Sequence, residues 1–198
     1  MTTLYGPVVT GGDVRKAVRD TIVAWSDSYV DELARQVGIA LLPIRTYGIF
    51  GGPSYPVDEL PACVIVAPGL MGAPERRGDG SFDALWAVGV GVVVADVTAD
   101  LAVARAEPYA AAIRALMVQQ GGLGGFAEET TWTDEETVPI AYERDRVVAA
   151  ASLQFEVVVN NVVTRWAGPA VPPADPTVAQ DTTTATTVTP TLERLRPP

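Results

Sequence analysis

The groups in this chain best suited to chemistry are carboxylates. Glu128, Glu129, Asp134, Glu135 and Glu136 crowd around Trp132 in one short stretch. Paired carboxylates hydrolyse glycosidic bonds when they stand at a fixed separation and one keeps a raised pKa. Carboxylates arranged Asp-x-Asp-x-Asp-Gly hold calcium. The stretch has no such calcium spacing and no isolated acid pair. A solvated acidic edge fits it better, as it fits most charge runs, and such an edge would also repel passing DNA. A hydrolase using Glu128, Glu129, Asp134 or Glu135 stands as the alternative from a catalytic class.

Other reactive types are scarce. Histidine is absent, which removes the commonest general base and the usual transition-metal ligand and excludes Ser-His-Asp and Cys-His arrangements. Cys63 is the single cysteine, so one chain forms neither a disulfide nor a cysteine metal cluster. Its apolar neighbours Ala62 to Ala67 make it a small hydrophobe. Lys16 is the lone lysine and an unpromising Schiff-base candidate. Gly89-Val90-Gly91 lies inside a strand pattern, with Val94 where a dinucleotide fingerprint needs its third glycine. Gly121-Gly122-Leu123-Gly124-Gly125 follows a helix, whereas phosphate binds where a helix begins. Arg76-Arg77 is too small a basic patch for nucleic acid. No cofactor and no metal are expected.

Composition narrows the class further. The chain has 198 residues, 48% of them hydrophobic, and a net charge of −10. That is enough for one globular domain plus a tail, and too acidic for a protein that grips nucleic acid. No run approaches the ~20 apolar residues of a membrane span. The first residues lack the basic segment and apolar core of a signal peptide, so the cytosol is the expected place of synthesis and assembly.

The elements that must position these residues read as follows. Residues 1–12 form a leader. Asp13 caps a helix carrying Val14, Val18, Ile22, Trp25, Tyr29, Leu33 and Val37, with a break near Ser26-Asp27-Ser28 and a stop at Gly38. Trp25 and Trp86 are expected in the core. Tyr47 to Phe50 reads as a short strand, Ala62 to Ala67 as a buried one, and Pro68 to Ser81 as a loop. Phe82 to Ala95 is a long strand with two unlike faces. Phe82, Ala84, Trp86, Val88, Val90, Val92 and Val94 want a helix over them. Ala87, Gly89 and Gly91 leave the other face bare enough for another subunit to approach. A second helix begins near Thr98, with Pro108 kinking or restarting it, and ends at Gly121-Gly122. An acidic extended segment runs from Phe126 to Glu143, and a half-exposed strand from Val147 to about Val162. Strands of this length either bend through bulges or overhang their domain to serve an intersubunit sheet, and the small-residue face fits the second. Residues 169–198 are a Pro/Thr-rich arm that builds no core and is expected to lie on another subunit. Trp132 and Trp166, in polar or terminal surroundings, are interface candidates.

This order resembles the tail terminator proteins of long-tailed bacteriophages, those of actinobacterial phages above all. The stretches that carry the resemblance are Leu60-Pro61-Ala62-Cys63-Val64-Ile65-Val66-Ala67-Pro68-Gly69-Leu70, Trp86 to Val94, and Tyr109-Ala110-Ala111-Ala112-Ile113-Arg114. Leu123-Gly124-Gly125-Phe126 with Trp132-Thr133-Asp134-Glu135, and Val162 to Pro169, complete them. The resemblance implies an α+β fold over residues 13–168, with two main helices on a mixed or antiparallel sheet, and an extended C-terminal arm. It implies a non-enzymatic virion protein that forms a homo-oligomeric ring, a hexamer. Such a ring caps the tail tube, ends its polymerisation, and joins the head-tail connector or stopper protein. DNA would pass through without specific binding. Another neck ring, a head-closure or connector subunit, is the nearest alternative. Ala87, Gly89, Gly91, Trp132 and Trp166 are the candidate interface, and Glu128, Glu129, Asp134, Glu135 and Glu136 the candidate lumen or rim.

Overall fold

Thr10, rather than Asp13, caps the first helix, α1 (Gly11–Val37). In this computed structural model, which describes residues 8–48, 59–143 and 145–164, the Asp13 N–H donates to the Thr10 hydroxyl at 3.3 Å. Asp13 Oδ2 accepts the Thr10 N–H at 2.8 Å. That is a capping box three positions earlier than the sequence reading placed the start, so Gly11 and Gly12 belong to the helix rather than the leader. The expected break at Ser26-Asp27-Ser28 is absent. Ser26 is fully buried, and its hydroxyl shares a 2.6 Å hydrogen bond with that of Tyr47, so it packs in the core instead of capping. The buried stripe runs Val14, Val18, Ile22, Ser26, Val30. This step of four leaves Trp25, expected in the core, 47% exposed, and Val37 outside it too. Gly38 ends the helix with φ 70°, as its lack of a side chain allows.

The second helix, α2 (Ala99–Gln119), is capped by the Thr98 hydroxyl, which accepts from Leu101 N–H at 3.3 Å. It continues past Pro108 without a fresh start. Its buried side is half alanine, with Ala102, Ala106, Ala110 and Ala112 beside Tyr109, Ile113, Leu116 and Met117. Both helices sit on one face of a six-stranded mixed sheet, α2 over β4, β5 and β6 and α1 over β2. The fold is α+β. The strands are β1 (Thr46–Gly48), β2 (Ala62–Leu70), β3 (Glu75–Arg76), β4 (Phe82–Asp96), β5 (Glu129–Glu143) and β6 (Arg146–Val163). Their order is β1-β2-β4-β6-β5, with β3 on β4. Only the β1–β2 pair is parallel.

The long strands do not overhang the domain. β4 pairs with β6 from Phe82↔Val163 to Asp96↔Val147, so each uses the other's whole length. The expected loop from Pro68 is shorter than the sequence indicated: β2 continues through a bulge between Val66 and Gly69 to Leu70, and β3 forms a short ladder with Asp83 and Phe82. Trp86, Val88, Val90, Val92 and Val94 of β4 meet Leu153, Phe155, Val157 and Val159 of β6 under the helices. Burial of each large side chain of this kind contributes about 1.5–3 kcal/mol. On the opposite face a smaller cluster of Leu60, Ala62, Val64, Val93, Ala95 and Val148 covers one part of the sheet. Ile49, Phe50, Trp166 and the arm 169–198 lie outside the described residues.

One side chain ties the helices' connection together. Tyr109 is 1% exposed, and its hydroxyl donates to the Leu42 carbonyl at 2.7 Å while accepting the Leu42 N–H at 2.9 Å. Tyr109→Phe strands both backbone groups, which should lower stability by about 1–3 kcal/mol, read as a lower urea midpoint at unchanged slope. Acidification gives a second test. Burial works against the charge of Asp83, yet the Asn161 N–H at 2.9 Å and the Arg77 guanidinium outweigh it and hold the carboxyl below its ordinary 3.8. A depressed folded pKa means stability that is full above the ordinary value and lost as pH falls through the folded one. Asp83→Asn should therefore flatten the acid limb of the melting temperature against pH and leave its shape at neutral pH unchanged.

Candidate functional site

Antiparallel partners share a face, so the register of β4, β6 and β5 fixes what the sheet's open side presents. Leu85 stands beside Val158, and Val158 beside Glu129. Ala87 is followed across by Glu156 and Thr131, Gly89 by Gln154 and Asp134, and Gly91 by Ser152 and Glu136. The open face therefore grades from a bare floor on β4 to carboxylates on β5. Two sets of residues that the sequence offered separately thus share one face: Gly89 stands in a row with Asp134 and Gly91 with Glu136, while Glu129 lies one row beyond Ala87, beside Leu85.

A bulge makes this grouping. Strict alternation would set Glu129 and Asp134 on opposite sides, but an extra residue, Thr133, lies between the pairs Trp132↔Phe155 and Asp134↔Gln154. The same bulge sends Glu135 the other way. Glu135 and Trp132 face the helices, where Arg114 of α2 pairs with Glu135 at 2.6 Å and lies 4.8 Å over the Trp132 ring. Trp132 Nε1 donates to the Asp134 carbonyl at 3.0 Å, and the ring stays 41% exposed. The acidic run is thus divided: Glu129, Asp134 and Glu136 on the open face, Glu135 neutralised beneath α2. Glu128 enters the sheet through its N–H, bonded to the Val158 carbonyl at 2.9 Å. Trp166 lies outside the described residues.

The folded chain has room for a methyl group at both glycines. A Cβ at Gly89 would meet the Gln154 amide at 3.5 Å and the Val66 carbonyl at 3.6 Å; one at Gly91 would find nothing nearer than 4.0 Å. Both are ordinary contacts.

Reactive chemistry is not assembled around this face. Among the described residues no three His, Cys, Asp or Glu side chains are placed to hold a metal ion. Burial pushes the Cys63 thiol up to about 12, which keeps it protonated and inert at neutral pH. A feature the sequence reading missed lies on the helix side. A groove of about 550 Å³ runs between Ala17, Asp20 and Trp25 of α1 and the turn formed by Leu123, Gly124 and Phe126. Its sequence signal was the aromatic at position 25, one place off the buried stripe.

No family model matches the chain, and no curated protein matches it. Among solved structures it is similar to a chain of the virion of a native gene transfer agent (GTA) particle. The TM-score is 0.46 and the identity 17%, covering 75% of this chain and 96% of that one.

The glycine geometry sets a stability expectation. Gly91→Ala should change the unfolding free energy of the isolated chain by less than about 1 kcal/mol, measured by urea titration. A larger loss would mean that the monomer's own packing demands the glycine.

Proposed function

We propose that this chain is a non-catalytic structural subunit of a long-tailed phage virion. In this reading it is a tail terminator, working in the tail or neck after assembly in the host cytoplasm. Copies associate side by side in a ring, a hexamer by the resemblance of the sequence. The ring caps the finished tail tube, stops its polymerisation, and receives the connector or stopper protein of the head.

The observation that carries this reading is the open sheet face, where Ala87, Gly89 and Gly91 form a floor of small residues on β4 beside the carboxylates of β5. A bare floor lets a neighbouring backbone approach closely. Carboxylates at one side of it, Glu129, Asp134, Glu136 and Glu156, suit a channel through which DNA moves, because without cations there is no counterion release to drive adhesion. The absence of histidine and the protonated Cys63 agree with an assembly role. The Pro/Thr-rich arm 169–198 would extend the contact to a neighbour.

The deciding experiment is the mass and negative-stain image of the purified chain, alone and with tail-tube protein. A closed ring of several subunits, seated at the end of tail tubes, is the expected result. A monomer that forms no ring in either condition overturns the proposal.

A further inference from the structure

In the groove between α1 and the turn after α2 stands an aromatic whose polar atom is unspent. Ala17, Ala24 and Trp25 of α1 line it together with Leu123, Gly124 and Phe126, around a volume of about 550 Å³. The turn is held in place, because Leu123 is buried and the Gly121 carbonyl accepts the Thr130 hydroxyl at 2.7 Å. Trp86 is buried, and Trp132 donates its indole N–H to the Asp134 carbonyl. The Trp25 ring is exposed, and its indole N–H has no partner among the described residues. The groove's carboxylates are already occupied. Asp13 accepts the Thr10 N–H at 2.8 Å and the Thr10 hydroxyl at 2.7 Å, and Asp20 is paired with Lys16. What the groove offers a partner is two aromatic rings and an N–H donor.

The chain itself carries a segment of matching chemistry. Pro169-Ala170-Val171-Pro172 and Pro173-Ala174-Asp175-Pro176 repeat proline at a spacing of three. That is the period of the polyproline II helix, so Pro169 and Pro172 share one edge, and Pro173 and Pro176 another. Such a helix has no internal hydrogen bonds and proline has no N–H, so it presents carbonyl acceptors and little to donate. Aromatic-lined grooves take segments of this kind, at a low entropic cost because the helix is preformed. Eight residues of it span about 25 Å. The α1 wall from Asp13 to Trp25 is about 18 Å long, so one segment covers the groove. The open sheet face does not suit the segment. Glu129, Asp134, Glu136 and Glu156 there are acceptors too, and would meet its carbonyls and Asp175. Reach is sufficient: Pro176 follows Thr164, the last described residue, by twelve, which is about 40 Å of extended chain.

We infer that residues 169–176 of each copy lie in the groove of the next, prolines against Trp25 and Phe126 and a carbonyl on the Trp25 N–H. The occupant is the arm of a second copy of this chain. This inference rests on the ring proposed above and names the surface that receives the arm. Groove and arm are different patches, so the contact is heterologous and repeats around a closed ring. Within the ring the tether holds each segment at high effective concentration beside its groove.

The test is disulfide trapping in the full chain. Ala24→Cys places a thiol on the exposed α1 wall of the groove and Ala174→Cys one in the segment, while Cys63 is buried. The two variants are assembled together in equal amounts, oxidised with copper phenanthroline, and run on a non-reducing gel. Light scattering on the same sample measures assembly, and circular dichroism checks the fold. The mixture should give a two-chain product well above the amount from either variant alone. Adding Trp25→Ala to the groove-bearing variant should lower that product about tenfold, as removal of an aromatic anchor does, with the fold unchanged. Rings that give no linked product overturn the inference and leave the ring reading intact. A chain carrying both cysteines that closes on itself without linking to another assigns the groove to its own arm and overturns the inference. A wild-type chain that stays monomeric at every concentration overturns the ring reading and this inference with it.

Discussion

The antiparallel pairing of β4 with β6 is the constraint on which the rest depends. It runs from Phe82↔Val163 to Asp96↔Val147 and fixes which side chains of both strands share a face. A slip of one residue would move Trp86, Val88, Val90, Leu153, Phe155 and Val157 from the core to solvent, so the apolar pattern holds the register. The helices follow from it. α2 has 21 residues, about 30 Å of helix, whereas the 15 residues of β4 span about 50 Å. A helix that short cannot cover the sheet alone, and α1, with 27 residues, packs over β2 beside it. Val97 and Ile140 stay exposed near the end of the sheet where α2 begins.

The same sheet is guarded against growth through its edges. β5, the outer strand on one side, carries Pro139, which has no N–H to offer a new strand, and bulges at Thr133 and Ile140 that break the ladder's spacing. On the other side, among the described residues, β1 pairs only with Ala62 to Val64, and β2 carries a bulge between Val66 and Gly69. Bulges, proline and charge on edge strands are the devices that blunt edge-to-edge pairing. Association through backbone continuation of the sheet is therefore disfavoured at both edges. The surfaces left for specific contact are the open face and the two ends.

Much of this was legible in the residues. The period-two pattern of Phe82 to Val94 and of Val147 to Val159 gave both long strands and the faces they bury, because a strand with one covered face must alternate. Thr98 and Gly38 marked helix ends through chemistry that acts within one turn. The failures have equally local causes. Gly11 and Gly12 are poor helix formers, so the sequence placed the cap at Asp13, and the box with Thr10 that overcomes them was read one turn late. Ser26 resembled a cap because its hydroxyl seeks a partner; only the fold brings Tyr47 within 2.6 Å of it. Thr133 is silent in the sequence, since a bulge is decided by the partner strand. Without it Glu129 and Asp134 read as opposite faces. The open-face site was thus visible as two unconnected sets of residues, and the register united them.

That union also limits how copies can meet. Two copies joined open face to open face about a twofold axis would bring Glu129, Asp134, Glu136 and Glu156 of each into the same contact. Like charges close together repel, and taking carboxylates out of water without cationic partners adds a desolvation penalty to that repulsion. The face has no compensating base along β5: Arg114, the nearest on α2, is spent on Glu135 and Trp132 beneath the sheet. An isologous face-to-face dimer is therefore the least favourable use of this surface. A neighbour that contacts only the small floor on β4 avoids the penalty, provided that the carboxylates stay in water. Such a neighbour must approach from the β4 side with a different patch of its own surface. The charge distribution thus favours unlike patches meeting in rotation, with the acidic strip facing an open, hydrated space.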